Sequence, residues 1–210
     1  YSFTLATNAN VKLTADTVAS TASINSLILN GYSITNPGSA ATLTLASGTL
    51  AGNLLINSAN NIDGANTTIG IGAFELVTLA SASSTISAVI GTAVAGTFTL
   101  SGSGNVTLSA ANAYIGTTYI NNATLFAGAT NVLSTGGVTV VGGTYDLGNF
   151  SDSVGAVILQ NGTITSGSGV LTSTASYSFR EGTVSAIIAG SVAVTRVATS
   201  AVLDSVVTMT

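Results

Sequence analysis

The sequence has no cysteine, no histidine and no tryptophan, and only one proline, Pro37. Without cysteine there is no disulfide framework, and sulfur says nothing about the redox compartment. Without histidine the usual catalytic triads and zinc sites lose a member. Charge is unusually scarce: Asp, Glu, Lys and Arg make up 5% of the chain, against about 25% in an ordinary globular domain. The basic residues are Lys12, Arg180 and Arg196, and the formal net charge is −4. That leaves no basic footprint for nucleic acid or an anionic membrane surface, and neither is expected as a partner.

Hydrophobic residues make up 46% of the chain, so the abundance of Ser, Thr, Asn and Gly does not signal disorder. At 210 residues the chain has ample material for a core. It opens "YSFTLATNAN", with neither Met nor a basic leader segment. A leader already removed, or a piece of something longer, is expected. Residues 76–100 carry no charge, but Ser, Thr and Gly interrupt them throughout, which argues against a membrane helix. An outer-membrane barrel would need aromatic girdles, and the pattern has none.

A repeat is present instead. Gly-Thr-apolar recurs at 48–50, 96–98, 143–145, 162–164 and 182–184, with "ATL" at 123–125 in the same phase. From Ala123 to Gly143 is 20 positions, from Gly143 to Gly162 is 19, and from Gly162 to Gly182 is 20. "VTVVGGTYDL", "AVILQNGTIT" and "YSFREGTVSA" each alternate apolar and polar residues on both sides of a break at Gly. Period-2 alternation rich in β-branched residues means strands, and Gly at the break allows a bend where a side chain would clash. Two short strands and a corner every 20 or so residues predict one coil of a parallel β-solenoid.

The whole chain, 1–210, is therefore read as one all-β solenoid domain of about ten coils of roughly 20 residues. The repeat is strongest over 106–190, and 191–210 reads as a specialised terminal or contact segment. Val138, Val140, Tyr145, Leu147, Val157, Leu159, Ile164 and Val184 are expected inside, with Gly143, Gly162 and Gly182 stacked at one corner. The scarcity of charge follows from this geometry. Equivalent positions of successive coils lie about 5 Å apart, so a charge in the repeat would repel its own copy, whereas Thr and Ser keep β propensity without that cost.

Val106–Gly190 resembles the autotransporter-associated β-strand repeat of large bacterial secreted surface proteins. The carrying stretches are "VTLSAANAYIGTTYINNATLFAG", "GGVTVVGGTYDLGNFSDSVGAVILQNGTI" and "SYSFREGTVSAIIAGS". Asn112, Tyr114, Gly116, Thr117, Thr118, Tyr119 and Ile120 match the family's Asn and Tyr before a Gly-Thr-Thr-apolar run. The Gly-rich stretch with a Lys that usually follows "AGS" is replaced by "SVAVTRVATSAVLDSVVTMT". The resemblance implies a right-handed parallel β-helix, secretion to the extracellular space or bacterial cell surface, and a role as stalk, fibre or adhesin. It carries over no catalytic residue.

Chemistry has few candidates. The acids are Asp16, Asp63, Glu75, Asp146, Asp152, Glu181 and Asp204. Asp146 and Asp152 are the nearest to a glycosidase pair, which needs carboxyls roughly 5–10 Å apart. A solvated turn capped by Asp is the simpler account of them. "REG" at 180–182 reads as a surface ion pair. "GIG" at 70–72 and "GSG" at 102–104 and 167–169 open no helix, so phosphate binding is not expected. "NNIDGAN" at 60–66 has too few carboxylates for a calcium loop. No catalytic, cofactor-binding or metal site, and no cofactor, is assigned. Asn66, Asn105, Asn122, Asn149 and Asn161 sit in Asn-x-Ser/Thr acceptors, several of which composition alone would produce.

Two function classes remain: a structural subunit or segment of an extracellular fibre, or a surface adhesin binding carbohydrate or a host protein. Tyr1, Tyr32, Tyr114, Tyr119, Tyr145 and Tyr177 are spread along the chain, which favours structure over a sugar platform. Both termini alternate as strands without a capping helix, so end-to-end β contacts with a copy or a neighbouring domain are expected. Val202 and Val206 are candidates for that junction.

Overall fold

The computed structural model describes residues 9–45, 52–64, 66–91, 93 and 95–197, and the backbone of strand Val207–Met209. They form a parallel β-helix of about 9 turns with no helix. Accordingly, among the described residues no helix is long and apolar enough to cross a membrane. The described residues within 76–100 are short strands and the bends between them, the strands including Glu75–Ala80, Ser84–Ile86 and Val89–Ile90.

Each coil has three walls rather than the two expected. Along the first wall one column of residues marks the register: Asn10, Ser26, Asn53, Val77, Thr99, Tyr119, Thr139, Ile158, Ser178 and Thr195. The steps between them are 16, 27, 24 and 22 positions at first, then 20, 20, 19 and 20, and 17 at the last. The regular period in the sequence is the second half of the molecule. The first coils differ in length, and only pairing reveals their register.

The second wall runs through Thr17–Val18, Ile34–Thr35, Asn60–Ile62, Ser84–Ile86, Asn105–Leu108 and Thr124–Ala127. In the next two coils it merges with the first wall, because Val138–Asp146 and Val157–Thr165 pass through the corner as nine-residue strands. The corner is the expected glycine stack. Gly143 pairs with Gly162, and Gly162 and Gly182 have φ of +107° and +115°. A Cβ on Gly162 would lie 2.2 Å from the Gly143 carbonyl oxygen, and one on Gly182 2.4 Å from that of Gly162. No side chain fits, so the repeat keeps glycine there for space as well as for φ.

All eight residues expected inside are buried, from Val138 to Val184. They belong to one continuous core with Leu27, Leu54, Leu76, Phe98 and Ile120 of earlier coils. Each such side chain contributes about 1.5–3 kcal/mol when buried. Outward positions carry Thr, Ser and Asn. On the second wall Thr124, Thr144, Thr163 and Thr183 lie one above another.

The third wall is two separate sheets. Ala22–Ile24, Ala41–Leu45, Thr67–Gly70 and Val89–Ile90 form one, and Asp152–Val154, Val170–Ser173 and Ile187–Ala189 the other. Two coils without strand lie between them, at 109–117 and 128–137.

Candidate functional site

Side chains take over the hydrogen bonding where the third wall loses its strands. The Ile90 N–H donates to Asn112 Oδ1 at 2.7 Å, and Asn112 Nδ2 donates to the Val132 carbonyl at 2.6 Å. One carboxamide thus bridges three coils with the donor–acceptor pattern of a peptide group. One coil further on, the Leu133 N–H donates to Asp152 Oδ2 at 3.0 Å. Ser134 Oγ donates to the Gly116 carbonyl at 3.0 Å, and the Gly155 N–H to the Gly136 carbonyl at 2.8 Å. An unpaired buried peptide group costs about 1–3 kcal/mol. These side chains add to the backbone bonds that still cross the gap, among them Ala113 N–H to the Ile90 carbonyl at 2.9 Å and Asn131 N–H to the Ser151 carbonyl at 2.9 Å.

Asp152 is the unexpected member, and its expected solvated position is corrected. It shares an inward face with Val154 and is 2% exposed. Alternation made this visible: Asp152 and Val154 are two apart in a strand, so one inward position implies the other. The Tyr145 hydroxyl donates to its Oδ2 at 2.6 Å. Its Oδ1 is buried without a well-formed hydrogen bond. Burial raises the carboxyl pKa, against the opposing pull of Tyr145 and of the Leu133 and Ser153 N–H groups. The Tyr145 phenol is pushed well above its usual value, by burial first and then by the charge of Asp152. Tyr114 is also buried, hydrogen-bonded to Thr118 Oγ1 at 2.6 Å, and burial raises its pKa too.

Asp146 behaves as expected. Its Oδ1 accepts the Gly148 N–H at 2.8 Å in a turn cap. It sits in an outward column with Phe126 and Thr165. The wall itself therefore separates Asp146 from Asp152, which is not the arrangement of a hydrolytic pair facing one sugar. Arg180 and Glu181 are exposed at a corner. The "GSG" and "GIG" strings are corners as well, with φ of +111° at Gly102 and +57° at Gly72. In "NNIDGAN", Asn60 is buried and Ser84 Oγ donates to its Oδ1 at 2.8 Å. Among the described residues no three His, Cys, Asp or Glu side chains cluster as metal ligands.

The tyrosines divide by role. Tyr114, Tyr145 and Tyr177 fill the interior, whereas Tyr119 is 39% exposed on the first wall. Of the acceptor asparagines, Asn105, Asn122, Asn149 and Asn161 are exposed, and Asn66 is half-buried, its Nδ2 donating to the Asn36 carbonyl at 3.4 Å. Tyr1, Asp204, Val202 and Val206 lie outside the described residues. No family model, curated protein or solved structure matches the chain.

Proposed function

We propose that this chain is a structural segment of an extracellular fibre, built by stacking its terminal coils on further β structure. One observation supports this above the others. Among the described residues, Asn10–Lys12, Thr17–Val18 and Ala22–Ile24 at one end each pair with a single strand. So do Ile187–Ala189, Ala193–Arg196 and Val207–Met209 at the other. Strand edges of this kind are templates for further pairing. The last coil also exposes apolar side chains, Ile187 at 50% and Val194 at 56%. A head-to-tail contact between such ends does not close on itself and propagates as a filament.

The sparsely charged side walls suit that role, because successive coils within the rod meet with little repulsion between like charges. No catalytic function is part of this reading. The resemblance of Val106–Gly190 to passenger-type repeats supports a fibre outside a bacterial cell.

The test is light scattering and negative-stain microscopy of the full chain across a concentration series. Rods that lengthen with concentration, and shorten when Val194→Asp and Ile187→Asp are introduced together, are expected. A chain that stays monomeric throughout, with the same mass in the double variant, would refute filament growth.

A further inference from the structure

The outer side of the second wall is not uniform along the rod. In the first four coils the corner between first and second walls is long, running from Lys12 to Thr17, Ile28 to Ile34, Ile56 to Asn60 and Ala80 to Ser84. In later coils it tightens, to Gly102–Asn105 and Asn121–Thr124 and then to the glycine stack. The long corners are built structures: Asn30 and Gly31 take positive φ, and Asn57 Nδ2 donates to Asn30 Oδ1 at 3.0 Å. They raise a rim along one side of the wall.

Two concavities lie beside that rim, of about 520 Å³ and 480 Å³. Both include Ser33, Asn61 and Thr85, so they form one trough. It begins at Asp16 in the first coil, crosses successive rungs, passes Thr107 and stops at Phe126 in the sixth. Five rung spacings of about 4.8 Å give a length on the order of 24 Å.

We propose that this trough binds an extended, linear, neutral polysaccharide lying along the solenoid axis. The lining decides the ligand class. It offers hydroxyls and carboxamides at the spacing of the rungs, able to donate to and accept from a polyhydroxyl chain. Asp16 stands at one end, its Oδ1 accepting the Ser33 N–H at 2.8 Å, and Asp63 lies in the third coil; carboxylates accept from sugar hydroxyls and repel polyanions. Phe126, half-exposed, closes the other end and gives a sugar ring an apolar surface. None of the three basic residues lines the trough, which disfavours nucleic acid and anionic glycans. Backbone groups of the wall are spent on neighbouring rungs, in parallel pairing and in the Asn61 N–H to Ser33 Oγ and Thr85 N–H to Asn61 Oδ1 bonds, so an extended peptide finds no strand edge there. The site goes beyond the fibre reading and does not depend on it, since it lies on the side of the rod.

Calorimetric and NMR titration of the full chain with cellohexaose and chitohexaose tests this, with maltohexaose and hexagalacturonate as a curved and an anionic comparison. Saturable binding of at least one of the first two is expected, tighter than of either comparison ligand. Thr85→Arg, which fills the middle of the trough, and Phe126→Ala should each weaken it at least about tenfold. Thr165→Arg, on the same wall beyond Phe126, should leave it unchanged, and the melting temperatures of all three variants confirm folding. No saturable binding of either extended hexasaccharide, tighter binding of hexagalacturonate or maltohexaose, or affinity indifferent to both trough variants would each overturn the proposal. Filament formation is scored separately and bears on neither result.

Discussion

The Tyr145 hydroxyl donates to Asp152 Oδ2 at 2.6 Å inside the β-helix, between a strand of the first two walls and the first strand after the gap in the third. The carboxyl has the Leu133 N–H on the same oxygen and a buried, poorly partnered Oδ1. Burial raises its pKa in the fold above the ordinary carboxylate value. A carboxyl with a raised folded pKa stabilises the native state below its unfolded value, and that contribution is lost as pH rises through the folded pKa. We therefore expect stability to fall as pH climbs from about 4 through the folded pKa of Asp152, then to level off. Chemical denaturation across that range reads it directly. Rising stability over the window would contradict a raised pKa at Asp152.

Replacing Asp152 separates charge from hydrogen bonding. Asp152→Asn copies the protonated acid, because its Oδ1 accepts from Tyr145 and Leu133 and its Nδ2 brings N–H groups to the Oδ1 side. It should match the parent at low pH, exceed it above the folded pKa and flatten the profile. Asp152→Ala leaves a phenol and an amide unpaired, at about 1–3 kcal/mol each. The order expected near neutrality is Asn, then Asp, then Ala. If Asn proves as damaging as Ala, the carboxyl is needed charged.

The second half of the fold was legible in the sequence for a definite reason. Val138 and Val140 point inward before the corner and Tyr145 and Leu147 after it, with a register shift between them, and the glycines recur at a fixed interval because nothing else fits between stacked carbonyls. The third wall was not legible. Across 109–117 and 128–137 no alternation marks a strand, because isolated backbone bonds and the side chains of Asn112 and Asp152 replace the regular ladder there. The trough was hidden as well: it depends on corner lengths in the early coils, where the step varies from 16 to 27 positions. Asp152 itself was half-visible, in phase with Val154 but read as part of a turn with Asp146.

Gly162 tests the stacked corner. Alanine there meets the Gly143 carbonyl oxygen at 2.2 Å and must also adopt φ +107°. A loss of about 3 kcal/mol is expected in Gly162→Ala. Gly148 also has positive φ, +53°, but nothing stands within 4 Å of its Cβ position. Gly148→Ala should cost only about 1 kcal/mol. Equal losses in the two variants would mean that backbone conformation, not the close stacking of coils, fixes glycine at the corner.

Asn112 can be tested by hydrogen exchange. Alanine removes both the acceptor for Ile90 N–H and the donor to the Val132 carbonyl. We expect Asn112→Ala to cost about 2–3 kcal/mol and to speed exchange of the Ile90 amide more than that of Ile69, whose wall remains strand-paired. Asp at this position keeps the acceptor but turns the donor into a charge facing a carbonyl, so it should not rescue. Unchanged protection at Ile90 would show that the neighbouring strands hold the wall without the side-chain bridge.

Scarcity of charge can be tested in the threonine column of the second wall. Thr144, Thr163 and Thr183 occupy one outward position in successive coils, roughly 4.8 Å apart. A single lysine at Thr163 is solvated, replaces a surface residue and should cost at most about 0.5 kcal/mol. Lysines at Thr144 and Thr163 together face each other directly, and like charges so placed are destabilising. The double variant should lose about 0.5–1 kcal/mol more than the two singles combined, and added salt should remove most of that excess. Thr144→Glu with Thr163→Lys should show coupling of opposite sign. These cycles are measured by urea denaturation at low and high salt. Additive lysines at low salt would mean that repulsion between coils does not account for the nearly uncharged composition of the repeat.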